Sequence, residues 1–125
     1  MITGLGVDVV NIGRIASLGE GVKRRLFHPA ELAEAASMES SAAVSYLSGR
    51  FASKEALGKA LGCGLAALGP STVHVGRSED GRPYFVLTEK LTNLLAGRSI
   101  LLSISHDDPV AMATVILTGG HDGPQ

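Results

Sequence analysis

The sequence predicts a single α+β domain, with helices packed on a mainly antiparallel sheet. Three observations predict it. A chain of 125 residues that is 45% hydrophobic and 18% charged is the right size and composition for one domain with a real core. Its two ends are β-rich: residues 1–10 at the start, and 99–106 and 110–118 at the end. Between them, Val44, Leu47, Phe51, Leu57 and Leu61 recur at the 3–4 spacing of one helix face.

Each element has a local cause. In the first strand, Ile2, Gly4, Gly6, Asp8 and Val10 share a face, and the two glycines are expected to leave open space beside Asp8. Asn11 is a helix cap for residues 12–18. Residues 19–28 form a basic connector carrying Lys23, Arg24 and Arg25. Pro29 suits the first turn of a short helix over 30–37. The long helix spans Ala42 to Leu61 and stops at Gly62 or Gly64. Strands at 71–77 and 84–88 flank the Asp80-Gly81-Arg82-Pro83 turn. Thr88 caps a helix to Ala96, stopped by Gly97. The last two strands form a hairpin through Asp107-Asp108-Pro109. The domain is taken as 1–118, and 119–125 as a polar, glycine-rich tail that frays. The final hairpin is apolar on both faces, more than one small domain can cover, so an oligomer is expected.

Composition removes several function classes. With 4% aromatics and no Trp, a stacking platform for single-stranded nucleic acid is not expected. Eleven basic against twelve acidic residues give no general polyanion grip. Cys63 is alone, so neither an intramolecular disulfide nor a multi-cysteine zinc site is available. No basic region followed by an apolar run opens the chain, and no apolar run approaches the roughly 18 residues of a membrane span. A cytoplasmic location without membrane contact is therefore expected.

The chemistry concentrates in Arg50-Phe51-Ala52-Ser53-Lys54-Glu55-Ala56-Leu57-Gly58-Lys59-Ala60-Leu61-Gly62, where one carboxylate lies among three cations. Phosphate chemistry run by a hard metal needs that mixture. Arg50 and Lys54 are like charges four residues apart, which destabilises a helix unless an anion lies between them. Glu55 and Lys59 stand at the same spacing and also read as an ordinary helix-surface ion pair. Gly58 weakens the helix interior and would let a ligand approach the backbone. Asp8 is either a metal ligand or a cap for the next helix, and His106 either a site residue or a satisfied strand-end histidine. His28, His74 and His121 have no partners at metal spacing.

In combination, GVDVV near the N-terminus, RFASKEALGKALG in the middle and SISHDD near the C-terminus resemble the holo-acyl-carrier-protein synthase family, the small 4′-phosphopantetheinyl transferases. The likeness runs from Gly4 to about Leu117 and takes in Arg14, the Phe27-to-Leu32 segment and the Gly81-Arg82-Pro83 turn. His28 departs from it, where similar proteins carry a small hydroxyl residue. The resemblance implies transfer of phosphopantetheine from coenzyme A to a serine of an apo acyl carrier protein. It implies Mg²⁺ on Asp8 and Glu55, with Asp8, Glu55 and His106 catalytic. Arg50, Lys54, Lys59 and His106 would contact phosphates, with Gly58, Gly81 and Pro83 also on the coenzyme A side. It further implies carrier docking on Arg14, Leu18, Lys23, Arg24, Arg25 and Phe27, and a homotrimer with sites between subunits. A pyrophosphate hydrolase or a non-catalytic subunit for an acidic partner are the alternatives.

Overall fold

The computed structural model describes residues 1–120. Strand β1 (Ile2–Asn11) leads into three short helices, α1 (Ile12–Ala16), α2 (Glu20–Leu26) and α3 (Pro29–Ala36). The long α4 (Ser40–Leu61) follows, then α5 (Gly64–Leu68) and a 3₁₀ turn at Pro70–Thr72. A small hairpin of β2 (Val75–Arg77) and β3 (Pro83–Phe85), helix α6 (Glu89–Leu95), and the paired strands β4 (Arg98–Asp107) and β5 (Val110–Gly119) complete the chain. The main sheet has the order β1-β5-β4, all antiparallel, with the last strand in the middle. The α+β reading holds. Residues 121–125, most of the expected tail, lie outside the described residues.

Three stretches depart from expectation. Of the strands expected at 71–77 and 84–88, only Val75–Arg77 and Pro83–Phe85 form, the first after the 3₁₀ turn. The basic connector contains α2: with Glu20 in its first turn and Lys23, Arg24 and Arg25 in its last, its charges complement the helix dipole. The chain does not simply stop being helical at Gly62. That residue takes a left-handed φ of 75° as the C-cap of α4, and α5 then folds back beside it.

One face of the main sheet is covered and the other is bare. On the covered face α4 crosses the sheet on small residues. A side chain on Gly6 would run into the Ala56 carbonyl, and a Cβ on Gly4 would lie 2.7 Å from the Ala60 carbonyl oxygen. The glycines beside Asp8 therefore leave no open space, because the helix backbone fills it. At the other end of α4, a Cβ on Gly49 would lie 2.9 Å from Ile104 of β4. The helix thus runs diagonally, its first half over β4 and its second half over β1. Gly58 is spent the same way. A Cβ there would meet the Gly64 backbone at 2.9 Å, so this glycine seats α5 rather than a ligand.

The opposite face carries Leu5 (65% exposed), Val7 and Val9 from β1, Met112 from β5 and Leu101 (58%) from β4. The surplus apolar surface expected of the last hairpin is present and extends onto β1.

Glu31 and Lys54, both fully buried, tie the helical layer together. The Lys54 ammonium donates to Glu31 Oε1 at 2.6 Å, to the Leu26 carbonyl at 3.1 Å and to the Pro70 carbonyl at 2.9 Å, so each of its protons has an acceptor. Glu31 also accepts the backbone N–H of His28 at 2.9 Å and of Val75 at 2.8 Å. Burial pulls the Lys54 ammonium below its ordinary value, and Glu31 opposes that pull. Lys54, expected among the phosphate contacts, is a core residue; its anion is internal. His28 supplies what a hydroxyl would at the start of α3, because its Nδ1 accepts the Ala30 N–H at 3.0 Å.

Removing one member of this pair strands the other. Lys54→Met should cost about 3–5 kcal/mol in urea unfolding, and adding Glu31→Gln should recover part of that loss. A Lys54→Met protein as stable as the parent would show that the pair does not hold the layer.

Candidate functional site

The diagonal course of α4 distributes the chemical residues between the two edges of the sheet. At the β1 edge, Asp8 stands in register with Ala113 and Ile104 on the face that α4 covers. Lys59, one turn beyond Glu55, donates to Asp8 Oδ1 at 3.1 Å and to the Val7 carbonyl at 2.9 Å. The helix-surface pair expected between Glu55 and Lys59 is therefore replaced by a contact across to the sheet. Glu55 is held above the usual carboxylate range by burial first and by the Asp8 charge second, while Lys59 and Arg14 pull it back. Asp8 and Glu55 are thus close enough to repel, with one direct cation to balance Asp8. Arg14, expected only at a partner-docking surface, reaches Glu55 electrostatically.

Two carboxylates forced together are a fit for Mg²⁺, which keeps waters and substrate oxygens and takes few protein ligands. Among the described residues no cluster of three or more His, Cys, Asp or Glu side chains forms a richer metal site.

At the β4 edge a narrow cleft is lined by cations. His106 shares a row with Ala111 and Val10, two residues along from Ile104. It faces that cleft, of about 180 Å³, with Arg50, Arg77, Gly81 and Pro83. A broader cleft of about 780 Å³ adjoins it, sharing Tyr46, Arg77 and His106. Arg50 is only 4% exposed, yet its Nε and Nη2 have no hydrogen-bond partner. Its guanidinium lies 4.1 Å from the centre of the Tyr46 ring. The Tyr46 hydroxyl donates to Glu34 Oε1 at 2.9 Å, and burial with that bond pushes its pKa up to about 12. Burial pulls the Arg50 guanidinium below its ordinary value, and Arg77 pulls it the same way. Unpartnered buried donors are expensive unless an anion arrives.

These two groups are not one cluster within a single chain. β5 separates β1 from β4, so the edges lie about 10 Å apart and α4 sits over the gap. The structure unites Arg50, Gly81, Pro83 and His106 on one side, and Asp8, Glu55 and Lys59 on the other. Lys54 and Gly58 join neither. Of the expected docking residues, Arg14, Arg24 and Arg25 are exposed and Lys23 and Leu18 half-buried, but Phe27 is wholly buried beneath Lys54 and is not a surface contact. Sequence reasoning missed Tyr46 and Arg77. Arg77 had a signal, since it flanks the Asp80–Pro83 turn. Arg82, the nearer cation, is engaged by Asp80, whose carboxyl its hydrogen bonds help hold down to about 2.

Among the described residues no helix is long and apolar enough to cross a membrane. Residues 4–115 match the model of the 4′-phosphopantetheinyl transferase superfamily. The holo-[acyl-carrier-protein] synthase of Treponema denticola is 40% identical over 124 residues, spanning 95% of this chain and all of that protein. The crystal structure of the holo-[acyl-carrier-protein] synthase of Neisseria meningitidis superposes with a TM-score of 0.83 at 30% identity, over 95% of this chain and 100% of that one. A holo-(acyl-carrier-protein) synthase from Bacillus anthracis, solved in complex with CoA (3′,5′-ADP), gives 0.81 at 29% identity over 94% and 96%.

Because Glu55 binds its proton more tightly in the folded chain than in the unfolded one, its contribution to stability falls as pH rises from the ordinary glutamate value through the raised one. Asp8→Asn should bring the Glu55 titration part-way down, since burial persists, and Mg²⁺ should lower it further in the parent. Carbon-13 NMR of the Glu side chains reads both. A Glu55 titration indifferent to Asp8→Asn would separate the two acids.

Proposed function

The chain belongs to the 4′-phosphopantetheinyl transferase superfamily, and from that premise we propose that it transfers 4′-phosphopantetheine from coenzyme A to a serine of an apo acyl carrier protein. The observation that carries the site assignment is the division of charge: paired acids at one sheet edge, and the unsatisfied Arg50 guanidinium with Arg77 in the cleft at the other.

The serine Oγ attacks the phosphorus that bears pantetheine. The bond from that phosphorus to the bridging oxygen breaks, and adenosine 3′,5′-bisphosphate leaves. The serine proton would leave through a water relayed by Glu55 or Asp8, the two carboxylates at the β1 edge. Asp8 and Glu55 would hold Mg²⁺, which when bound would supply charge neutralisation at the pyrophosphate. Lys59 moves from Asp8 toward the substrate phosphates. Arg50 and His106 bind the nucleotide end, with Gly81 and Pro83 against the adenine.

Neither edge is a whole site, so two copies must share one. The bare sheet face with Leu5, Val9, Leu101 and Met112 is the surface on which copies meet. A homotrimer sets His106 of one subunit against Asp8 and Glu55 of the next. Arg14, Lys23, Arg24, Arg25 and Leu18 form the dock for the acidic, helical carrier, close to Glu55. The catalytic domain is 1–118 and acts in the cytoplasm. A non-catalytic subunit would have no use for the paired acids, and a hydrolase none for a basic dock beside them.

Mass spectrometry tests the reaction: apo carrier incubated with coenzyme A, Mg²⁺ and the protein should gain one phosphopantetheine. No mass gain would end the proposal. Asp8→Asn and Glu55→Gln should each abolish transfer with the fold intact, since both acids sit at the rim of the core; near-normal turnover in either would remove it from the site. Light scattering should give about three times 12.9 kDa, the multiple set by closed cyclic symmetry. Mixed Asp8→Asn and His106→Ala proteins should regain some activity, and a fully active monomer would rule out sharing. Arg24→Glu should raise KM for the carrier, less so at high salt, and leave KM for coenzyme A nearly unchanged. Equal effects on both substrates would place Arg24 on the nucleotide side. Arg14 is a poorer probe, because its charge also reaches Glu55.

A further inference from the structure

We propose that Arg77 is a specificity-determining residue: with Arg50 and His106 it binds the phosphate monoester on the ribose of coenzyme A, and so selects coenzyme A over 3′-dephospho-coenzyme A. The inference rests on the transferase reading and adds a residue and a discrimination to it.

The narrow cleft is lined by two arginines and a histidine and by no carboxylate. Asp108 borders only the broader cleft beside it. Arg50 offers two buried N–H positions that no protein group accepts, and the Tyr46 ring holds its guanidinium in place. Like charges facing one cavity are unfavourable until an anion lies between them. Arg77 has no ion-pair partner among the described residues, whereas Arg82 is held by Asp80 at 2.6 Å. Its register opposite Pro83 keeps it beside the turn where the adenine is assigned.

The chemistry of the donor chooses which phosphate belongs here. A terminal monoester carries close to two charges near neutral pH and three free oxygens, enough for two guanidiniums and an imidazole. Each phosphorus of the pyrophosphate carries one charge, which Lys59 and a metal ion held by Asp8 and Glu55 would balance at the other edge. The narrow cleft is left for the monoester.

Arg77→Gln is the test. Arg77 is exposed on a short strand, so the fold should survive. KM for coenzyme A should rise roughly 10- to 100-fold, the range for losing a hydrogen bond to a charged group. KM for 3′-dephospho-coenzyme A, and kcat with either donor, should stay nearly unchanged. Calorimetry should show adenosine 3′,5′-bisphosphate losing affinity by a similar factor while adenosine 5′-monophosphate does not. Arg77→Lys should restore part of the loss. Equal weakening of both donors would make Arg77 a general steering charge and overturn the proposal, as would no effect on either. If the parent protein transferred from neither donor, the transferase reading would fall, and the nucleotide pair would still judge Arg77.

Discussion

Everything chemical in this molecule depends on how closely α4 lies on β1. Gly4 and Gly6 remove the side chains that would hold a helix at its usual distance from a sheet, and the Ala56 and Ala60 carbonyls occupy the space. Ala52, Ala56 and Ala60 on the helix and Ala111 and Ala113 on β5 are small for the same reason. This contact brings Glu55 down to Asp8. It also sets the diagonal that carries Arg50 toward β4. A larger residue at Gly6 would lift the second half of the helix and separate the acids before it changed any residue of the site.

The Lys54–Glu31 pair fixes the same helix from above. An ion pair between exposed groups contributes little, but this one is fully buried, fully hydrogen-bonded and contacted by three other segments as well as the cap of α3. Lys54 and Arg50 lie one turn apart on α4, and their contrast is informative. Lys54 has an acceptor for every proton, so it asks for no ligand. Arg50, as deeply placed, has two donors without acceptors. Buried cations that are satisfied hold the fold; a buried cation that is not satisfied marks the place where the fold expects something else.

That contrast shows where sequence reasoning stops. Periodicity identified the long helix, and β-rich composition the three strands of the main sheet. The acids could be picked out because a carboxylate in an apolar strand or a mostly buried helix needs a reason. The Arg50/Lys54 stripe pointed to a bound phosphate, but spacing along a helix cannot say that Lys54 is instead answered by a carboxylate 23 residues upstream. Glu31 did carry a signal: it stands three residues after His28, the spacing of a capping box. Phe27 and Gly58 were misread for a similar reason. An aromatic beside a basic cluster, or a glycine inside a helix, suits either a surface or a close contact, and only the packing of α2 and α5 decides. Arg77 flanks the Asp80–Pro83 turn, but its strand is three residues long and its cleft neighbours include residues of α4 and β4, so position alone could not single it out.

The division of charge between the sheet edges follows from these constraints. A single helix that must touch both edge strands can present a different face at each, because residues five apart on a helix point well apart. Glu55 and Arg50 are five apart. Placing opposite charges on opposite edges prevents the carboxylates from neutralising the guanidiniums within one chain. Each half therefore keeps its unmet demand: the acids for a cation, the arginines for an anion. The bare apolar sheet face lies between those edges on the side away from α4. Burying it against other copies would turn the edges of neighbouring chains toward one another. In the proposed trimer the same three-stranded sheet would carry both the split site and the surface that reunites it.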